Sequence, residues 1–213
     1  MWRPRRKRPV RALLFDIGGV VVRTQTQRVL EVGSMLYGCS EEVLSMHLAP
    51  LVAELERGEI DNYSLWEELG ESLESNGAGK AQDPEKLEPL WVQMIEESLE
   101  VDPEMLDFCR ELQTRMPVAA LSNTIAEHAA HLEELGVYEV FNPCVLSFEV
   151  GMRKPESRIY RLACELLQTP PENCLLIDDL KDNLKGARAL RMQTHLFTDI
   201  ETLRSDLVKR GLI

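Results

Sequence analysis

From Pro117 onward the chain repeats one pattern, a short apolar run of strand character followed by a helical segment. The runs are Pro117 to Leu121, Cys144 to Ser147, Cys174 to Ile177 and Thr194 to Phe197, each too short for a buried helix. Apolar runs without alternation suit strands buried on both faces. Strands separated by helices run parallel, because a tight hairpin cannot join them. A fifth run of the same kind, Arg11 to Phe15, stands near the start. Helix starts are marked chemically. Asp83-Pro84-Glu85 and Asp102-Pro103-Glu104 each supply an N-cap, a proline at the first helical position and a first-turn acid, while Thr124 with Glu127 fits a capping box.

The stretch from Arg23 to Val101 breaks the alternation. It shows no convincing strand, and its apolar residues recur at helical spacing, as in Leu44, Leu48, Leu51 and Leu55 or Leu87, Leu90, Trp91 and Met94. Ser75 to Asp83 reads as a polar connector between two of its helices. The expected architecture is α/β: a Rossmann-like parallel-sheet core of residues 10–22 and 102–213, with an all-helical cap, 23–101, inserted after the first strand. Trp66, Trp91 and the cap leucines read as the cap's own core.

Charge is divided unevenly. The chain has 36 acids and 24 bases, a net charge of −12, yet its first 11 residues carry six bases and no acid. Residues 1–9 therefore form a basic tail, read as solvated in preference to an anion-binding or targeting patch, because it abuts the first strand. The acidic remainder argues against nucleic-acid binding. No uncharged stretch exceeds the 11 residues Met116 to Ala126, too few to span a bilayer. Five scattered cysteines without a CxxC pair read as reduced thiols in a cytoplasmic protein.

In open parallel sheets, ligands bind beyond the carboxyl ends of the strands. That rule selects Asp16-Ile17-Gly18-Gly19 after the first strand, Ser122-Asn123-Thr124 after the second, Arg153-Lys154-Pro155 after the third and Asp178-Asp179 after the fourth. Taken singly, each has an ordinary reading as turn residue, helix cap or surface lysine. Together they bring carboxylates from two strand ends beside a lysine. Such carboxylates repel unless a hard cation sits between them, and Mg2+ takes oxygen ligands while leaving room for a phosphate. The four histidines form no HExxH, Ser122 lacks a GxSxG setting, and His128 and His131 read as surface residues.

These segments, in this order, resemble the signatures of the haloacid dehalogenase superfamily. GMRKPESRIY, LIDDLKDNLKGAR and Gly58-Glu59-Ile60 look most like sugar-1-phosphate phosphatases and the N-terminal phosphatase domain of soluble epoxide hydrolases. The resemblance implies Mg2+-dependent hydrolysis of a small phosphomonoester, a sugar phosphate or similar metabolite, through an aspartyl-phosphate. It makes Asp16 the nucleophile, with Lys154 as its catalytic cation, and assigns phosphate binding to Ser122, Asn123 and Lys154. Mg2+ falls to Asp16, Gly18 and Asp179, and Asp178 and Asn183 support. The chain departs from many such phosphatases at Gly18, where they carry an aspartate acting as general acid and base. The competing readings are a weak or inactive phosphate-binding module and, less favoured by Asp178-Asp179, a metal-free dehalogenase. Within the cap, Glu56 to Ile60 is the candidate substrate loop, with Arg57 either meeting substrate or pairing with a cap glutamate.

Overall fold

The structure, a computed structural model, describes residues 8–24 and 26–213. Arg3, Arg5, Arg6 and Lys7 of the basic tail lie outside the described residues. In chain order the elements are β1 (Ala12–Phe15), β2 (Val22–Thr24), α1 (Thr26–Tyr37), α2 (Glu41–Leu55), α3 (Asn62–Ser75), α4 (Pro84–Ser98), β3 (Leu99–Val101), α5 (Pro103–Gln113) and β4 (Val118–Ser122). They continue with α6 (Ala126–Glu134), β5 (Cys144–Leu146), α7 (Ser147–Val150), α8 (Ser157–Leu166), β6 (Cys174–Asp178), α9 (Lys181–Ala189), β7 (Gln193–Leu196) and α10 (Ile200–Arg210).

Five strands form one parallel sheet in the order β5-β4-β1-β6-β7. The chain enters at the centre and adds strands first to one side and then to the other, so the ends of β1, β4 and β6 converge. β1 has no exposed side chain, and its residues divide by parity. Leu13 and Phe15 join Val118, Ala120, Leu175 and Ile177 on the face covered by α5 and α10. Ala12 and Leu14 join Ala119, Leu121 and Leu176 on the face covered by α8 and α9. Burial on both faces explains why these strands read as continuous apolar runs.

β4 starts one residue later than expected. Pro117 has no N–H for the ladder, and its carbonyl instead accepts from Leu13 N at 3.0 Å. The strand runs on to Ser122, which pairs in register with Leu146. Asp102 caps α5 by accepting from Met105 N at 3.1 Å, and Asp83 caps α4 through Glu85 N at 3.3 Å. The capping box expected of Thr124 and Glu127 does not form. Helix α6 begins after Ile125, and Thr124 is held by Ser147, whose hydroxyl accepts from Thr124 N at 2.9 Å and donates to its carbonyl at 3.0 Å.

The stretch between Arg23 and Val101 contributes short strands that its sequence did not signal. β2 and β3 pair antiparallel, with Val22 opposite Val101 and Thr24 opposite Leu99. Three residues are too few to show alternation, and their partners lie far apart in sequence. This ribbon contains both joins to the helical segment. Helices α1 to α4 pack around Leu44, Leu48, Leu65, Trp66, Leu69 and Leu73, and Ile125 from the sheet side completes that cluster. Trp66 and Trp91 meet edge to face at 5.1 Å. Among the described residues, no helix is long and apolar enough to cross a membrane.

Leu14 sits at the centre of this sheet with no exposed surface. Leu14→Ala is expected to cost about 2–5 kcal/mol through lost burial and a residual cavity, read as a lowered urea midpoint at unchanged slope.

Candidate active site

Asp16 follows directly on β1, and Asp178 is the last residue of β6, its neighbour in the sheet. Lys154 reaches between them from the loop joining α7 to α8. Its ammonium lies 2.8 Å from Asp16 Oδ1 and 2.9 Å from Asp178 Oδ2, and the lysine side chain is completely buried. Asp178 is saturated: Oδ1 accepts from Leu180 N at 2.9 Å, and Asn183 Nδ2 lies 3.1 Å from both oxygens. Tyr160, whose hydroxyl donates to the Asn183 carbonyl at 2.8 Å, fixes that asparagine from α8. A carboxylate so occupied is suited to holding its neighbours in place.

Asp16 is bonded differently. Among the described residues, its contacts with Ile17 N (2.7 Å) and Lys154 both fall on Oδ1, so Oδ2 is left toward the cavity. Burial pushes the Asp16 carboxyl up against the pull of Lys154, Asp178 adds to the rise, and its pKa stands at about 7. Burial and Asp178 also raise Asp179. For Lys154 burial acts downward, but Asp16 and Asp178 outweigh it and its pKa is raised.

Oxygens of Asp16, Asp178 and Asp179 lie within 4.8 Å of one another. Three carboxylates against one ammonium leave an excess of negative charge in a desolvated corner, and an all-oxygen set of this kind fits a hard divalent cation. Gly19 lets Asp179 approach. Its φ is +74°, and a side chain there would collide with the Asp179 carboxylate.

The Ser122-Asn123-Thr124 loop forms the facing wall. The Asn123 side chain staples it to the Lys154 loop, accepting from Lys154 N at 2.7 Å and donating to the Lys154 carbonyl at 3.0 Å. That side chain is therefore occupied in positioning Lys154. Asp16, Gly18, Ser122, Asn123, Asp179 and Asn183 all line one cavity of about 500 Å3.

The same cavity corrects some expectations. His128, read as a surface residue, lines it together with Trp91, Leu48 and Leu55, which also belong to the cap's own core as expected. Arg57 is not among the residues lining the cavity, and the cap glutamate Glu59 is the more distant of its two acidic partners. Its guanidinium reaches Glu156 of the sheet domain at 2.9 Å, with Glu59 at 4.0 Å. Glu56 does line the cavity and pairs with Arg153 at 2.7 Å. Gly58 rests against the Phe148 carbonyl so closely that a side chain would not fit. No sequence signal marked the partners across the domains, since each pair joins residues about a hundred positions apart.

The chain belongs to the haloacid dehalogenase-like hydrolases, the family whose sequence profile matches residues 10–191. It is 26% identical over 193 residues to drimenol cyclase drtB of Aspergillus calidoustus, covering 88% of this chain and 34% of that protein. It is 36% identical over 69 residues to bifunctional epoxide hydrolase 2 of Sus scrofa, covering 32% of this chain and 12% of that one. The chain thus spans about a third or less of these relatives. The HAD family enzyme BT-2542 of Bacteroides thetaiotaomicron, solved with magnesium and inorganic phosphate, superposes with a TM-score of 0.71 at 23% identity, over 91% of this chain and 98% of that one.

Burial, and secondarily His131, lowers the His128 pKa from 6.5 to about 4. The folded pKa lies below the unfolded one, so the neutral ring favours folding. Its contribution is complete above about pH 6.5 and is lost as pH falls toward 4. Urea denaturation of wild type and His128→Gln across that window is expected to show a shallower loss of stability in the variant, and parallel curves would contradict this assignment.

Proposed function

We propose that this hydrolase cleaves phosphomonoesters by way of an aspartyl-phosphate on Asp16. The observation that carries the reading is the buried Lys154 ammonium held between Asp16 and Asp178, with Asp179 completing a carboxylate cluster beside the cavity. Asp16 Oδ2 attacks phosphorus, the bond from phosphorus to the ester oxygen breaks, and the alkoxide leaves as an alcohol after taking a proton from water. A water molecule then attacks the phosphoaspartate at phosphorus, releasing inorganic phosphate and restoring the carboxylate. Lys154 holds Asp16 in place and places fixed positive charge beside the transferring group, while the Ser122 hydroxyl and Asn123 N–H are placed for its peripheral oxygens.

Mg2+ held by the Asp16 carboxylate, the Gly18 carbonyl and Asp179 would offset the repulsion between phosphate and carboxylates. The complex of BT-2542 with magnesium and phosphate, on the same fold, supports this choice of ion. The carboxylate pair Asp178-Asp179 disfavours a metal-free dehalogenase, in which such charge would oppose the nucleophile.

Phosphate release from a phosphomonoester panel is expected with Mg2+ and is expected to vanish in EDTA. Asp16→Asn should abolish turnover while the circular dichroism spectrum persists. Release by that variant at the wild-type rate would remove Asp16 as nucleophile, and absence of release on every substrate would favour a phosphate-binding module.

Gly18 offers no acid or base. It has an ordinary backbone conformation, and the nearest atom to an added Cβ is Thr24 Cγ2 at 3.8 Å, so a Cβ is accepted there without forcing the loop. General acid–base help is worth about 10²–10⁴-fold. Gly18→Asp is expected to raise kcat within that range for substrates with poor leaving groups. An unchanged kcat would show that proton transfer does not limit turnover.

A further inference from the structure

The phosphate end of the cavity is polar, but the end away from it is not. Val29 of α1, Val52 of α2, Trp91 of α4 and Leu99 of β3 line it, and each is only half-buried. Side chains serving purely as the helical segment's own core would be covered, as Leu65, Leu69 and Leu73 are. These four keep apolar surface turned to the cavity. Glu56, the acid the segment contributes to the lining, is engaged by Arg153 at 2.7 Å. Thr24, Ser98 and His128 are the other polar interruptions outside the phosphate end.

A second, smaller cavity of about 30 Å3 continues the apolar lining. It lies between α1 and α4, bounded by Val32, Leu36, Leu87, Leu90 and Met94, and shares Val29 and Trp91 with the main cavity. Val29 and Trp91 thus stand between the two cavities, with apolar lining on both sides.

Resting on the phosphatase reading above, we infer that the substrate is a monophosphate whose leaving group is an apolar chain, seated along Val29, Val52 and Trp91. A sugar carries a hydroxyl on nearly every carbon, and each would be stripped of water against these side chains without a partner. A hydrocarbon chain gains from the same surface with every methylene added.

The Mg2+-loaded protein is titrated calorimetrically with methyl-, butyl- and octylphosphonate, which bind without turnover. In parallel, kcat/KM is measured for the matching alkyl phosphates and for glucose 6-phosphate. Affinity and kcat/KM are both expected to rise by about fourfold per methylene until the cavity is filled, and octyl phosphate should exceed glucose 6-phosphate by about a hundredfold or more. Val52→Asn, at a half-buried position, should flatten the dependence on chain length. Affinity independent of chain length, or glucose 6-phosphate turned over as well as octyl phosphate, would overturn the inference. Phosphate release without chain-length dependence removes the apolar site and leaves the phosphatase. Phosphonate affinity that climbs with chain length, without release from any ester, removes the phosphatase and leaves the apolar site.

Discussion

A fully buried ammonium is tolerable only when paired, and here the pairing dictates how three separate segments meet. Lys154 has to find Asp16 and Asp178 at once, which requires β1 and β6 to be neighbours and the loop after α7 to arch over their ends. Loss of one partner would leave an uncompensated charge in a desolvated corner, a defect that typically costs 3–5 kcal/mol. Much of the surrounding hydrogen bonding serves this contact. Asn123 grips the Lys154 backbone, Asn183 and Leu180 N fill the oxygens of Asp178, and Tyr160 fixes Asn183. The same arrangement keeps the trio short of charge balance. Excess carboxylate suits a cation site, and burial, with Asp178 adding to it, raises the Asp16 pKa against the pull of Lys154.

What the sequence makes legible follows from the locality of each cause. β1, β4 and β6 announce themselves because burial on both faces requires unbroken apolar runs, and a carboxylate directly after such a run is conspicuous. Asp16, Asp178 and Asp179 could thus be found by reading strand ends, and Lys154 by its place among the matching segments. Contacts between distant segments left no local trace. The β2–β3 ribbon pairs residues nearly eighty positions apart, and the two bonds from the Asn123 side chain to the Lys154 backbone join segments 31 positions apart. Thr124 shows a different failure. Its capping signal is genuine chemistry, but the Ser147 hydroxyl competes for the same backbone and holds it in place. His128 looked like half of a surface pair because helical spacing fixes a face, not what that face meets.

The loop that delivers Lys154 also ties the two parts of the molecule together. Arg153 and Glu156 flank the lysine and its proline, and each bonds the α2 end of the helical segment, Arg153 to Glu56 at 2.7 Å and Glu156 to Arg57 at 2.9 Å. These pairs are only partly buried, so neither adds much stability alone. Their consequence is positional. If the helical segment swings about the β2–β3 ribbon to admit a ligand, both pairs must part, and the loop whose backbone is held by Asn123 loses its contacts on the far side. Because Lys154 lies between those two ion pairs, one loop carries both the contacts to the helical segment and the charge beside Asp16.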